Sequence, residues 1–125
     1  MRLLIDTHVL LWWLDDPLRI SEVARDRISD PENEVFVSAV SCWEIALKRG
    51  LGKIKAPDNI DDVIAQCGFL ELAISISHSL KTETLPLFHR EPFDRMLIAQ
   101  SLCESAVMVS HDRVFERYGI PLVHA

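Results

Sequence analysis

Four carboxylates occupy positions where an acidic side chain needs a partner. Asp6 and Asp112 each follow a short apolar run. Glu44 and Asp94 lie on helical faces that also carry apolar residues. An unpaired charge in such places costs several kcal/mol, and carboxylate oxygens are the ligands that Mg²⁺ and Mn²⁺ prefer. The four residues therefore predict a divalent-metal site, with Mg²⁺ as the first candidate and Mn²⁺ as the alternative.

Each of the four carboxylates also has an ordinary structural explanation. Asp6 and Asp112 could cap the N-termini of helices, since Asp is a favoured N-cap residue. Asp94 could interact with the helix dipole from the first turn, and Glu44 could complete a capping box with Ser41. These separate explanations do not predict that all four carboxylates meet in one place, whereas a metal site requires it.

Apolar runs of strand length alternate with segments of helical periodicity along the chain. We predict strands at residues 2–5, 34–38, 69–74, 106–110 and 122–124, and helices at residues 7–14, 21–29, 39–49, 60–66, 78–85, 93–104 and 113–118. This order is typical of an α/β domain with a mostly parallel central sheet flanked by helices. Ligands bind at the carboxyl edge of such sheets, where we expect Asp6 and Asp112 to lie.

The composition indicates one globular, cytoplasmic domain over residues 1–125. The chain has 125 residues, of which 49% are hydrophobic, enough for one sizeable core. No apolar run approaches the roughly 20 residues of a membrane span, and the first residues lack the pattern of a secretory signal. The three cysteines form no C-x-x-C pair, so we expect reduced and mostly buried thiols at Cys42, Cys67 and Cys103.

The net charge bears on which partners the protein could bind. A formal charge of -6 argues against a broad basic surface for nucleic acid. Bound divalent cations reverse the sign of the field that a phosphate meets at an acidic site. An RNA substrate is therefore compatible with the acidic composition.

Several basic residues and histidines could contact a substrate. Four basic residues around two glycines could meet RNA phosphates, or they could belong to an ordinary solvated helix end and loop; they are Lys48, Arg49, Lys53 and Lys55. Arg95, beside Asp94, could bind phosphate or hold a neighbouring carboxylate. The two histidines next to proposed ligands are better candidates for supporting or substrate contacts than for metal ligands; they are His8 and His111.

Four stretches of the chain together resemble the PIN-domain family, particularly the VapC-like toxins of bacterial toxin–antitoxin pairs. They are LLIDTHVLLWWL at 3–14, VSAVSCWEIALKRGLGKI at 37–54, LPLFHREPFDRMLIAQS at 85–101 and SHDRVFERYGIPLV at 110–123. The resemblance implies that Asp6, Glu44 and Asp94 are the three core acidic residues and that Asp112 is a fourth. Thr7 and Ser110 match supporting hydroxyl positions, with Ser110 standing where Thr is frequent. Glu91 stands where Asp is expected.

The resemblance also implies an activity and partners. It implies a Mg²⁺- or Mn²⁺-dependent endonuclease that hydrolyses RNA phosphodiester bonds, acts as the toxin of a toxin–antitoxin pair, forms a homodimer and binds an antitoxin protein. One alternative is a non-catalytic PIN-like module that binds RNA or protein. Another is a Mg²⁺-dependent aspartyl-phosphate enzyme, but Asp6-Thr7-His8 lacks the second Asp of the D-x-D pattern.

Overall fold

A five-stranded, fully parallel sheet forms the centre of the protein. The computed structural model describes all 125 residues. The strands are β1 (Arg2–Ile5), β2 (Glu34–Ser38), β3 (Leu70–Leu72), β4 (Val107–Ser110) and β5 (Leu122–His124). They lie in the order β3-β2-β1-β4-β5, and each neighbouring pair is parallel. All five carboxyl ends therefore meet at one edge of the sheet.

Six α-helices connect and cover the strands. They are α1 (Thr7–Asp15), α2 (Glu22–Ser29), α3 (Ala39–Gly50), α4 (Ile60–Gln66), α5 (Ile76–Lys81) and α6 (Pro92–Glu104). Short 3₁₀ turns occupy Pro17–Arg19, Thr82–Thr84 and Arg113–Tyr118. None of the helices combines the length and apolarity that crossing a membrane requires.

The sheet separates two hydrophobic clusters because alternate side chains of a strand point to opposite faces. Leu3 and Ile5 of β1 pack in one cluster with apolar residues of α1, α2 and α4. Leu4 packs in the other with residues of α6, including Leu97 and Ile98. The predicted α/β architecture, with helices on both faces of a parallel sheet, is confirmed.

The predicted elements between β2 and α6 differ most from the structure. β3 covers only three residues, whereas we predicted a strand over 69–74. α5 begins at Ile76 and not at 78, because Ser75 caps it. The Ser75 hydroxyl accepts the His78 N–H, and the His78 Nδ1 accepts the Ser75 N–H. This reciprocal capping fixes the start of the helix two residues earlier than apolar spacing indicates.

The expectation of mostly buried cysteines was wrong. All three are free thiols, but Cys67 and Cys103 are exposed and only Cys42 is half-buried. Cys67 directly follows the last residue of α4, and Cys103 lies in the last turn of α6. Both positions lie at helix ends on the surface. The apolar character of cysteine does not by itself predict this exposure.

Candidate functional site

Asp6 and Ser110 join two neighbouring strands at the carboxyl edge of the sheet. Asp6 follows β1 and is 5% exposed, and its Oδ1 accepts the Val9 N–H at 2.8 Å, so it caps α1. Its Oδ2 accepts the hydroxyl of Ser110, the last residue of β4. Burial raises the pKa of the Asp6 carboxyl, and the Ser110 hydrogen bond partly offsets this. Asp6 is therefore both a helix cap and a desolvated acid at the ligand-binding edge.

Asp112 is linked to Asp6 through the same serine. The Asp112 N–H donates to Ser110 Oγ at 3.0 Å, and the Asp112 carboxylate accepts the Val114 N–H at 3.0 Å. Asp112 therefore caps the 3₁₀ turn Arg113–Tyr118, as the ordinary explanation for this residue anticipated. The Ser110 hydroxyl contacts both the Asp6 carboxylate and the Asp112 N–H, so it holds the Asp112 backbone close to Asp6.

Glu44 of α3 is buried and fully engaged at the site. Thr7 donates its hydroxyl to Glu44 Oε1 at 2.7 Å, and the ammonium of Lys48 donates to Oε2. The capping-box alternative with Ser41 was wrong. α3 is capped by Ser38, whose hydroxyl accepts the Val40 N–H, and the hydroxyl of Ser41 lies in the interior without a hydrogen-bond partner. Glu44 is thus held by groups of the site and not by the helix terminus.

Asp94 lies in the first turn of α6 beside an unforeseen histidine. His89 Nε2 donates to Asp94 Oδ2 at 2.7 Å. Glu91 caps α6 by accepting the N–H groups of Phe93 and Asp94. Glu91 therefore lies directly beside Asp94. Burial raises the pKa of Asp94 to about 6, although the His89 hydrogen bond acts in the opposite direction.

The structure brings the four predicted carboxylates together. One potential ligand atom from each of His89, Asp94 and Asp112 lies within 4.8 Å of the other two. The Asp6 charge raises the pKa of Asp94, and the Glu44 charge raises that of Asp6. Asp94 and Asp112 therefore form a compact group with His89, and Asp6 and Glu44 lie close enough for their charges to influence it.

The donor set of this cluster fits a hard divalent cation. The compact group has two carboxylates and one imidazole, the carboxylates of Asp6 and Glu44 lie nearby, and Lys48 is the cation paired with Glu44. Neighbouring carboxylates repel one another unless protons or cations intervene. Burial raises the pKa of Asp6 and of Asp94, and the charges of neighbouring carboxylates add to this effect.

Comparison with known proteins places this fold and site in a family. The PIN domain family model matches residues 3–121. The chain belongs to the PIN-domain family. This PIN domain is similar to ribonuclease VapC22 of Mycobacterium tuberculosis, at 26% identity over 121 residues that cover 94% of this chain and 92% of the relative.

Two solved structures resemble this PIN domain in fold. VapBC2 from Rickettsia felis, bound to a DNA fragment from its promoter, has a TM-score of 0.76 at 14% identity, covering 99% of this chain and 98% of that chain. DNA-bound VapBC from Salmonella typhimurium has a TM-score of 0.73 at 19% identity, with the same coverage of both chains. At these identities the likeness supports the shared fold alone.

Arg95 contacts the backbone of the preceding loop and pairs with no carboxylate. Its guanidinium donates to four backbone carbonyls, those of Thr82, Leu85, Pro86 and His89, at 2.9 to 3.2 Å. Tyr118 supports the same segment, because its hydroxyl accepts the His89 N–H at 2.8 Å. Arg95 therefore holds the loop that carries His89, and we no longer expect it to contact RNA.

The other basic residues of the predicted rim have different surroundings. Lys48 extends into the carboxylate cluster, whereas Arg49 donates to the Pro57 carbonyl and Lys53 is exposed. The hydrogen bond to Glu44 raises the pKa of Lys48, and the charges of Glu91 and Asp94 add to this effect. Lys48 is therefore the site's own counter-cation in the absence of metal.

We expect Lys48→Met to tighten metal binding. The substitution removes the ammonium that competes for Glu44, so Mg²⁺ affinity should rise about fivefold, the equivalent of roughly 1 kcal/mol. Isothermal titration calorimetry at neutral pH measures the change, with Lys53→Met as an exposed lysine control. Weaker binding by Lys48→Met would mean that the lysine supports the carboxylates and does not compete with the metal.

Proposed function

We propose that this PIN domain is a metal-dependent endoribonuclease that hydrolyses RNA phosphodiester bonds as the toxin of a toxin–antitoxin pair. One observation carries the proposal. Four carboxylates from separate elements converge at the carboxyl edge of the sheet, where only one lysine is paired with them. Similarity to a named ribonuclease of the same family supports the same activity.

Asp6, Glu44, Asp94 and Asp112 are the proposed metal ligands, and Mg²⁺ is the proposed metal, with Mn²⁺ as the alternative. Such a cation, when bound, activates water and stabilises the charge that develops during phosphodiester hydrolysis. Isothermal titration with each metal separates the two candidates. The carboxylates themselves provide the negative charge that selects a divalent cation at this edge of the sheet.

Thr7, Ser110 and His89 are proposed to position the carboxylates. Thr7 and Ser110 donate to one oxygen each of Glu44 and Asp6, which fixes the rotamers of these acids. His89 donates to one oxygen of Asp94. Hydrogen bonds of this kind from outside the ligand shell orient metal-binding carboxylates. A preorganised carboxylate cluster reduces the cost of ordering the site when substrate arrives.

The two rival functions fit these contacts less well. An aspartyl-phosphate enzyme needs a free nucleophilic oxygen, but both carboxylate oxygens of Asp6 accept hydrogen bonds and the residue is 5% exposed. A non-catalytic module has no need of four acids at one edge of the sheet, two of which have raised pKa values. A non-catalytic module predicts no metal-dependent RNA cleavage, and a Mg²⁺-dependent aspartyl-phosphate enzyme predicts a phosphoryl group trapped on Asp6.

A protein antitoxin and a second copy of this chain are the proposed protein partners. Solved structures of similar fold include VapBC complexes from Rickettsia felis and Salmonella typhimurium. α5 leaves two large apolar side chains exposed one helical turn apart, Ile76 and Leu80. Apolar side chains exposed in such pairs are common where proteins associate. Size-exclusion chromatography with light scattering tests the homodimer directly.

Cleavage of a mixed RNA pool tests the proposed activity. The purified, folded protein is incubated with the pool and either Mg²⁺ or Mn²⁺, beside an EDTA-treated sample. Cleavage that depends on metal and returns when metal is restored supports the proposal. A folded protein that binds metal and leaves every RNA in the pool intact would favour the binding-module alternative.

We expect metal binding to weaken sharply in mildly acidic solution. The pKa of Asp94 is about 6 before metal binds, and a carboxylate must be deprotonated to act as a ligand. Affinity should be nearly constant above about pH 7 and should fall by up to about tenfold per pH unit well below pH 6. Calorimetric titrations across this range measure it. An unchanged affinity at about pH 5 would remove Asp94 from the ligand set.

A further inference from the structure

A groove lined by aromatic rings and cations leads away from the carboxylates. Its first part is a cavity of about 420 Å³ lined by Asp6, His8, Trp12, His111, Asp112 and Arg113. A second cavity of about 570 Å³ shares His8 and Trp12 and continues past Arg19 and Lys55 to Pro57. The shared residues join the two cavities into one groove that starts at the proposed metal ligands.

Trp12 is the centre of the groove's aromatic surface. The imidazole of His8 lies nearly parallel to the indole, at 29° and 6.1 Å between centroids. His111 meets the same indole edge-on at 5.6 Å. The guanidinium of Arg19 lies 4.7 Å from the Trp12 ring centroid. The indole of Trp12 is half-buried, and the three residues that pack against it, His8, Arg19 and His111, are exposed.

The part of the groove beyond the metal ligands carries more cations than acids. Arg19, Lys55 and Arg113 line it, with Asp15 as the one acidic residue outside the metal ligands. Arg113 is paired with exposed Glu116 at 3.1 Å, whereas Arg19 lies on the Trp12 ring. A chain of net charge -6 therefore places its cations along the path that leads from its carboxylates.

Single-stranded RNA has the chemistry that this lining recognises. Unpaired bases stack on aromatic side chains and on arginine, and lysine or arginine meets the phosphates between them. An apolar peptide fits the first cavity less well, because Trp12 is the one hydrophobic residue among the six that line it, whereas five of the ten residues that line the second cavity are hydrophobic. A base-paired duplex would keep its bases stacked on one another and away from the indole.

We infer that this groove binds single-stranded RNA, with one nucleobase against Trp12 and His8 and the adjoining phosphates beside Arg19 and Lys55. The inference rests on the proposed ribonuclease function, and it adds where the strand lies and which groups bind it. A strand in this groove runs directly to Asp6 and Asp112. Base stacking at Trp12 would then contribute to binding of the strand and not to the hydrolytic step itself.

Substitution of Trp12 tests the inference in the cleavage reaction. Trp12→Leu should raise KM for single-stranded RNA at least about tenfold, within the range measured for loss of a stacked base, and change kcat less than about threefold. Trp12→Phe should recover most of the loss because it keeps a ring. Trp43→Leu is the matched control, since Trp43 is 60% exposed on α3 and lies outside the groove. Thermal unfolding of each variant establishes that it is folded.

Binding of a labelled RNA separates this inference from the proposed activity. Fluorescence anisotropy measures the affinity of Asp94→Asn protein, with and without Trp12→Leu, for an RNA of about twelve nucleotides, single-stranded or annealed to its complement. Tighter binding of the single strand that is lost with Trp12→Leu supports the groove, even if the wild type cuts nothing. Equal affinities with and without Trp12 would overturn the inference, whether or not the wild type cleaves RNA.

Discussion

Asp94→Asn should lower RNA cleavage by roughly three orders of magnitude, because it removes a proposed metal ligand and the charge that attracts the cation. Metal affinity should fall in parallel, by more than the roughly 10- to 100-fold typical of losing an outer-shell partner. Cleavage assays and calorimetry with Mg²⁺ measure the two effects. Asp61→Asn is the matched control, because Asp61 is also in the first turn of a helix but is exposed.

The same substitution should make the metal-free protein more stable at neutral pH. Burial raises the pKa of Asp94 to about 6, above the ordinary value of 3.8, so the folded state binds the carboxyl proton of Asp94 more tightly than the unfolded state does. The stability that protonated Asp94 contributes to the folded state is fully present below the pKa that this residue has in the unfolded chain. It is lost as the pH rises through about 6. The side chain of Asp94 is 24% exposed. Its replacement by neutral Asn should therefore raise the free energy of unfolding by on the order of 1 to 2 kcal/mol.

Two outcomes would contradict the role given to Asp94. Asp94→Asn protein could still cleave RNA at roughly a tenth of the wild-type rate or faster, which is a loss on the scale of one weak contact. Asp94 would then not be one of the catalytic ligands. A lower melting temperature for metal-free Asp94→Asn would mean that the His89 hydrogen bond outweighs the burial cost. Loss of cleavage together with gain of stability is the pattern expected of a charge retained for function.

Arg95→Met should destabilise the protein by about 3 kcal/mol, since four loop carbonyls lose their shared charged donor. Cleavage should also fall, because the loop carries His89 to Asp94. Arg95→Lys should recover only part of the stability, as one ammonium cannot reproduce the planar fork of the guanidinium. Urea-induced unfolding measures the stability changes.

Arg90→Met is the control for the Arg95 experiment, because Arg90 is an exposed arginine in the same loop. It should unfold like the wild type. Wild-type stability of Arg95→Met combined with a raised KM for RNA would contradict the structural role. That result would restore the earlier hypothesis that Arg95 binds phosphate.

Local patterns predicted the parts of the site that follow directly from the chain's secondary structure. Asp6 and Asp112 lie after β1 and β4, so their meeting follows once both strands are recognised as parallel neighbours. Glu44 and Asp94 were identified because each interrupts an otherwise apolar helix face. The pairing of Glu44 with Lys48 could also have been predicted, because residues four apart are neighbours on a helix.

Contacts that depend on the path of a loop were beyond such patterns. His89 precedes α6 in a segment without periodicity, and it reaches Asp94 only because Arg95 and Tyr118 hold the loop backbone. The groove around Trp12 likewise combines residues from α1, the Pro17–Arg19 turn and the segment after β4. No spacing within one element indicates that these side chains meet.

The hydrogen bond between Ser110 and Asp6 has a consequence for when the site forms during translation. The two residues are separated by 104 positions, and β1 pairs with β4 beside it. A nascent chain that has emerged only as far as α5 carries Asp6 and Glu44 but lacks Asp94 and Asp112. Contacts between distant parts of a chain form late in folding. The full set of proposed metal ligands therefore exists only after residue 112 has been synthesised.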